Sequence, residues 1–282
     1  MTVAVVTDST AYLPADRSSS PTLTVVPLTV VINGVEGAEG VEVSPADAAR
    51  ALRARRVAVT TSRPAPEQFT QTYRRLLDGG ASGVLSAHLS AQFSGTIESA
   101  QLAAVEFGDR VVVVDARSTG MGLGFPVLAA VTAAERGEKL AEVRAHTLDA
   151  VDRTSTFFYV DTLEFLRRSG RITAASALLG TALSVKPIMH VVNGAIVLRD
   201  KVRTASRGLA RLADLAVEAA GDSDVDLAVH HLAGAARAGE LAEALADRLG
   251  DRLRACHLTE IGAVVAAHVG PGLLCVVVHR HA

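Results

Sequence analysis

Short runs of β-branched residues alternate with Ala- and Leu-rich stretches along the first half of the chain. This alternation is typical of sheets whose strands are joined by helices, and it predicts an α/β fold. Helices are predicted over 46–56, after the N-cap Ser44 and a first-turn proline, over 67–77, and from residue 97 onwards. The predicted strands of this half are residues 3–7, 24–32, 57–60, 83–86 and 111–115.

A second α/β unit follows after residue 155, where the pattern changes character. After one more strand, Asp161 is predicted to cap a short helix, and Glu164 lies at the position that completes a capping box. Asn193-Gly194 between two β-branched runs predicts a β-hairpin. The sequence therefore predicts two α/β lobes, residues 1–155 and 156–282, with a cleft between them. The last predicted elements are a helix over Ala205–Ala220, a strand over Val225–His231, a helix over 239–249 and terminal strands.

Composition narrows the classes of function. The chain has 282 residues, of which 49% are hydrophobic, and its net charge is -2. The charges are mixed along the chain, so the basic surface that nucleic-acid binding needs is not expected. No apolar run approaches the roughly 20 residues of a spanning helix, and the N-terminus does not resemble a signal peptide. We therefore expect a cytoplasmic protein with no stable membrane insertion.

Familiar catalytic and cofactor motifs are missing from the sequence. It contains neither a P-loop nor a Gly-x-Ser-x-Gly nucleophile elbow, and no His-Glu-x-x-His or paired Cys-x-x-Cys. The glycines between Gly120 and Gly124 break the spacing of a dinucleotide loop. Cys256 and Cys275 lie in apolar contexts and are expected to be buried thiols. No cofactor and no metal site are predicted.

Hydroxyl groups and glycines cluster where predicted strands end, which is where open α/β sheets bind ligands. Ser94 stands at the start of a predicted helix and is followed by Gly95, so backbone N–H groups and the positive helix end would favour an anion there. Thr61-Ser62 ends another strand, and the two loops could share one ligand. The alternative is that Ser94 only caps its own helix, as serine often does.

His268 is the third candidate, predicted at a strand end before Gly-Pro-Gly. A histidine there could donate to a hydroxyl or a carboxylate, or could have a purely structural role. Ser94 and His268 together also allow a hydrolase in which the serine is the nucleophile and the histidine its base. That hypothesis lacks an elbow motif and an assigned orienting acid. A module that binds small anions or sugar phosphates through the hydroxyl loops is a further alternative.

Six segments, taken together and in order, resemble the DegV family over essentially the whole chain. They are residues 7–14 (Thr-Asp-Ser-Thr-Ala-Tyr-Leu-Pro), 61–64 (Thr-Ser-Arg-Pro), 94–96 (Ser-Gly-Thr), 161–172 (Asp-Thr-Leu-Glu-Phe-Leu-Arg-Arg-Ser-Gly-Arg-Ile), 186–188 (Lys-Pro-Ile) and 262–272, which ends in Gly-Pro-Gly.

The resemblance implies a two-domain α/β protein that encloses one long-chain fatty acid in the cleft, with the acyl tail in an apolar tunnel. Such a protein is not itself an enzyme. It is the lipid-carrying subunit of a two-component fatty-acid kinase: a separate ATP-binding subunit phosphorylates the bound carboxylate, and the acyl phosphate supplies phospholipid synthesis.

The resemblance also implies roles for individual residues. Thr61 and Ser94 should hydrogen-bond the carboxylate, His268 should support Ser94, and Ser62 should border the same site. No metal ligand is implied.

Two arginines correspond to basic positions near the surface that faces the kinase. They are Arg171 and Arg203, although either could also be a solvated helix end. The sequence departs from the family pattern at Arg63, where glutamine is common, and at Ser169, where glycine is common. These departures bear on the anion site rather than on the family.

Overall fold

The computed structural model describes residues 2–54, 57–172 and 186–281, which form thirteen strands and ten α-helices. The predicted α/β fold is confirmed. The strands are β1 (Val3–Asp8), β2 (Leu23–Val26), β3 (Thr29–Ile32), β4 (Val35–Ala38), β5 (Val59–Ser62), β6 (Gly83–His88), β7 (Val111–Asp115), β8 (Thr154–Tyr159), β9 (Lys186–Val192), β10 (Ala195–Val202), β11 (Val225–His231), β12 (Leu253–Glu260) and β13 (Leu274–Arg280). The helices are α1 (Ala15–Ser18), α2 (Pro45–Arg53), α3 (Pro66–Asp78), α4 (Thr96–Ala104), α5 (Met121–Glu135), α6 (Leu140–Asp152), α7 (Glu164–Arg168), α8 (Ala205–Ala220), α9 (Ala235–Leu249) and α10 (Ala263–Val269).

The strands form three sheets. The first half contains a parallel four-stranded sheet in the order β2-β1-β6-β7 and an antiparallel three-stranded sheet in the order β4-β3-β5. The second half contains a mixed six-stranded sheet in the order β10-β9-β8-β13-β11-β12. In that sheet only the β11–β12 pair is parallel. The division of the chain at residue 155 stays a prediction.

The predicted strand 24–32 is wrong, because it is two strands in different sheets. Pro27, which has no backbone N–H to offer a ladder, stands between β2 and β3. After this break β3 pairs with β5 instead of joining the parallel sheet, and Val30 lies opposite Thr61. Thr61 therefore lies within an antiparallel strand, not beyond the end of a parallel one as its sequence context suggested.

Three local predictions also need correction. Leu163, not Asp161, is the N-cap of α7, and Asp161 instead accepts a hydrogen bond from the Tyr159 hydroxyl at 2.7 Å. His268 lies in helix α10, not at a strand end. Cys256 is exposed, whereas Cys275 is buried as predicted. Residues 55 and 56, at the end of the helix predicted over 46–56, lie outside the described residues.

Other elements were predicted closely. The hairpin at Asn193-Gly194 is present, and both residues have positive φ, 50° and 83°. This is the backbone that a two-residue hairpin turn of type I′ requires. The bounds of α8 and β11 match the prediction.

One hydrophobic cluster lies between the sheets and contains residues from both halves of the chain. Leu28 and Val30 from the first half share it with Phe158, Val264 and Val277 from the second half. Helix α10 also packs against α2 and β5, so this cluster brings His268 beside the strand that carries Thr61. No helix in the described part of the chain is both long and apolar enough to cross a membrane.

Candidate functional site

A cavity of about 290 Å³ opens where β5, α10 and the segment between β6 and α4 meet. Side chains from both halves of the chain line it. Thr61, Ser62, Ser94 and His268, which the sequence singled out, are brought together around it. Arg171 also lines it, whereas Arg203 is exposed just after β10 and does not. The remaining lining residues are Leu28, Arg63, Leu89, Phe93, Gly95, Thr119, Leu166, Ile196, Val264, Val265 and Val269.

His268 is hydrogen-bonded to Thr61, with 2.9 Å between its Nε2 and the threonine Oγ1. The predicted pairing of His268 with Ser94 is therefore wrong. Burial, with a smaller effect from the positive charge of Arg171, lowers the pKa of His268 to about 4. The ring is consequently neutral near neutral pH. Its buried Nδ1 has no hydrogen-bond partner among the described residues.

The Ser94 hydroxyl is paired with Thr96 instead. The two side-chain oxygens are 2.9 Å apart, and the Ser94 Oγ also accepts the backbone N–H of Thr96 at 3.3 Å. Thr96 is fully buried and is the first residue of α4. Ser94 thus satisfies a donor at the start of the helix and lines the cavity at the same time. The sequence interpretation missed Thr96, although its place two residues after a candidate serine was a usable signal.

The segment before Ser94 is fixed by Ser90. The backbone carbonyl of Ser90 accepts the N–H groups of Phe93 at 2.9 Å and Ser94 at 3.2 Å. Its side-chain hydroxyl donates to the carbonyl of Gly194, in the hairpin turn of the second half, at 2.8 Å. The position of Ser94 therefore depends on contacts that reach across to the six-stranded sheet.

Helix α10 is held at its first turn by the buried carboxylate of Glu39. Glu39 Oε1 accepts the backbone N–H of Val264 at 2.7 Å and the Tyr12 hydroxyl at 3.2 Å. Burial raises the pKa of Glu39. Gly262 precedes the helix, and a β-carbon there would lie only 2.3 Å from Glu39 Oε1, so only glycine lets the carboxylate approach. Glu39 was missed at the sequence level because its partner is 225 residues away.

Two guanidinium groups flank the mouth of the cavity. Arg171 donates from Nε to the backbone carbonyl of Phe93 at 3.2 Å. Arg63 forms an ion pair with Glu98 at 2.7 Å and also donates to the carbonyl of Gly95 at 3.3 Å. It lies so close over Gly95 that a β-carbon there would fall 1.8 Å from a guanidinium nitrogen.

A second, smaller cavity of about 50 Å³ lies against the inner end of the first. Five residues line both cavities, and most of them are apolar: Phe93, Thr119, Ile196, Val265 and Val269. Beyond them the inner cavity is bordered by further buried side chains, among them Phe158, Leu273 and Cys275. The polar mouth therefore leads into an apolar interior.

An Asp–His–Ser arrangement exists elsewhere but has a structural role. His88 lies between Asp8, at 3.0 Å from its Nδ1, and Ser86, at 2.7 Å from its Nε2. All three side chains are fully buried, so no substrate reaches them. Asp8 also accepts the backbone N–H of Leu89 at 2.9 Å, which ties the end of β1 to the end of β6.

The comparisons with known proteins agree with this architecture. Residues 2–281 match the family model described as "Uncharacterised protein, DegV family". The chain belongs to the DegV family. A DegV domain-containing protein of Streptomyces coelicolor is 51% identical over 98% of each chain, and one of Mycobacterium tuberculosis is 42% identical over 99% of this chain and 97% of that protein.

Two solved DegV structures are similar over the full length of both chains. The structure described as fatty acid binding of a DegV family protein from Thermus thermophilus has a TM-score of 0.94 at 33% identity. The structure described as DegV, a fatty acid binding protein from Bacillus subtilis, has a TM-score of 0.90 at 29% identity.

The geometry gives little support to the alternatives that the sequence left open. A hydrolase would need Ser94 beside a base, but its hydroxyl is bonded to Thr96 while His268 is bonded to Thr61. The apolar interior does not suit a sugar phosphate. Within residues 2–54, 57–172 and 186–281, no group of three or more His, Cys, Asp or Glu side chains could hold a metal ion.

Proposed function

We propose that this DegV protein binds one long-chain fatty acid, with the carboxylate at the mouth of the outer cavity and the tail directed into the inner one. The observation that carries the proposal is a pair of hydroxyl groups at the polar end of an apolar cavity, each hydrogen-bonded to a neighbouring side chain. Fatty-acid binding in the related Thermus and Bacillus proteins supports it.

The hydrogen-bond directions suit an anion. With its proton on Nε2, neutral His268 donates to Thr61, and the Thr61 hydroxyl is free to donate outward. The Thr96 hydroxyl can likewise donate to Ser94 and free the Ser94 proton. In this arrangement His268 Nδ1, which has no partner in the part of the chain that the structure describes, is an acceptor and not a donor. Two neutral O–H groups then converge on one carboxylate.

The energetics divide the work between head and tail. Burying about 15 methylene groups at roughly 0.8 kcal/mol each gives a gross term near 12 kcal/mol before association costs. Each hydroxyl contributes about 1.5–3 kcal/mol, because it donates to a charged group. The tail therefore sets the affinity, and the hydroxyls set which end of the lipid faces the mouth.

The second part of the proposal is that the bound carboxylate is presented in the cytoplasm to a separate ATP-dependent kinase. A carboxylate oxygen attacks the γ-phosphorus of ATP, the bond from that phosphorus to the β,γ-bridging oxygen breaks, and acyl phosphate and ADP are formed. The acyl phosphate would then enter phospholipid synthesis. The DegV chain supplies no nucleophile, and Arg171 and Arg203 are the proposed contacts of the partner surface.

Native mass spectrometry of the purified protein tests the binding step, with one long-chain fatty acid per chain as the expected result. Thr61→Val and Ser94→Ala should each weaken hexadecanoate binding by roughly tenfold, while kinase-dependent turnover falls further. Thr60→Val is the matched control, because Thr60 is on the opposite face of β5 and does not line the cavity. A protein that binds no fatty acid, or a Thr61→Val variant that behaves like Thr60→Val, would contradict the proposal.

A further inference from the structure

The Arg63–Glu98 ion pair stands at the mouth of the cavity, where the proposed fatty-acid head group lies. Arg63 lines the cavity, whereas Glu98 points outward from α4. The side chains of Arg63 and Glu98 are 50% and 71% exposed. An ion pair as exposed as this is worth little, so a better anion can replace Glu98 at small cost.

The other charged groups around the mouth limit what Arg63 can do. Arg171 holds a fixed place through backbone carbonyls of Phe93 and Ser169, and no carboxylate among the described residues forms an ion pair with it. His268, on α10, is neutral near neutral pH. Among the described residues, a carboxylate in the cavity therefore meets one unmatched positive charge, that of Arg171, while the charge of Arg63 is matched by Glu98.

We infer that Arg63 determines specificity for the head group. When the head group is phosphorylated, Arg63 breaks its ion pair with Glu98 and forms a new one with the second negative charge of the phosphate. The inference rests on the proposed fatty-acid function and extends it. When a monoanionic carboxylate is bound at the mouth, Arg63 stays paired with Glu98. When a dianionic phosphate is bound there, Arg63 pairs with the ligand. Arg63 spans the Gly95 backbone at the start of α4, beside Ser94, so a change of partner needs only a side-chain rotation.

Hexadecanoate and hexadecyl phosphate provide the test, because they share one apolar chain and differ in head-group charge. Both are titrated below their micelle-forming concentrations into delipidated protein. Arg63→Gln should weaken the binding of hexadecyl phosphate by about five- to tenfold near pH 8, and the binding of hexadecanoate by less than about twofold. Glu98→Gln should strengthen hexadecyl phosphate by about threefold, since Arg63 no longer has a competing partner.

Two controls isolate the cause. Arg74→Gln removes the same charge from a similar exposed ion pair, Arg74–Glu106, which does not line the cavity. This variant should change the affinity for neither ligand. Near pH 5, below the phosphate's second pKa of about 6, hexadecyl phosphate is a monoanion and the effect of Arg63→Gln should shrink toward its effect on hexadecanoate.

The outcomes separate the inference from the function beneath it. If Arg63→Gln weakens both ligands equally, or behaves like Arg74→Gln, the role of Arg63 is wrong while fatty-acid binding stands. If the wild-type protein binds no hexadecanoate, the proposed function itself is wrong.

Discussion

The neutrality of His268 can be tested through protein stability. Its pKa is about 4 in the folded protein against about 6.5 in the unfolded chain. Between these values the unfolded chain binds the proton more readily, so stability falls as pH decreases from about 6.5 toward 4. From these two values, lowering the pH from about 7.5 to about 5 costs the wild-type protein about 2 kcal/mol through His268 alone. His268→Gln removes this contribution and can keep a hydrogen bond to Thr61.

Urea unfolding of delipidated wild-type, His268→Gln and His268→Ala proteins measures the effect. The stability of wild type minus that of His268→Gln should fall by about 2 kcal/mol from the higher to the lower pH. Other histidines whose pKa is lowered by burial, such as His230 and His279, cancel in this difference. His268→Ala should show the same pH-dependent change, but should be less stable than His268→Gln at both pH values, because it leaves a gap and an unpaired Thr61. If the difference in stability between wild type and His268→Gln is the same at both pH values, the lowered pKa of His268 is refuted.

Two further predictions concern Glu39 and the arginines. Glu39→Ala should destabilise the protein by about 2–4 kcal/mol in urea unfolding, because it leaves the Val264 N–H and the Tyr12 hydroxyl without an acceptor. Glu39→Gln should destabilise the protein less. Its stability relative to wild type should improve as pH rises, because burial raises the pKa of Glu39 and makes its ionised form unfavourable in the folded protein. An equal loss of stability in both variants at every pH would contradict this. Arg203→Ala should leave fatty-acid retention unchanged and lower the rate with a partner kinase. Arg171→Ala should lower both the retention of fatty acid and that rate. Equal retention and equal kinase rates in these two variants would count against the distinction.

Local pattern was enough to predict most of the fold. Helix α8 and the Asn193-Gly194 hairpin depend on residues close in sequence, on amphipathic spacing in one case and on turn chemistry in the other. The error at residues 24–32 came from giving a β-branched run more weight than Pro27 within it. A proline in such a run is itself a local signal, so that break could have been predicted.

Helix α10 shows where local pattern fails. Residues 263–269 are rich in valine, which favours a strand, and the segment is too short for a stable isolated helix. It is helical because Glu39 satisfies a backbone N–H in its first turn and because its apolar side chains pack into the cluster between the sheets. Neither contact can be recognised from the segment itself. Since His268 is on this helix, its partner was misassigned for the same reason.

The choice of donors around the carboxylate bears on the proposed chemistry. A guanidinium fork on both oxygens would bind the carboxylate strongly and would also stabilise its charge, which lowers its reactivity toward phosphorus. In the proposed complex, hydroxyl groups from Thr61 and Ser94 orient the anion and leave more of its charge available. Hydroxyl donors are sufficient in the proposed complex because the apolar tail, not the head group, supplies most of the binding energy. Arg63 and Arg171 flank the mouth, where the negative charge of the head group would increase as the phosphate is transferred. Their interaction therefore favours the phosphorylated head group over the free carboxylate. Neutral hydroxyl donors on the carboxylate, with guanidinium groups beside it at the mouth, are therefore the arrangement expected of the proposed carrier, which must hold its ligand firmly and still let the carboxylate react.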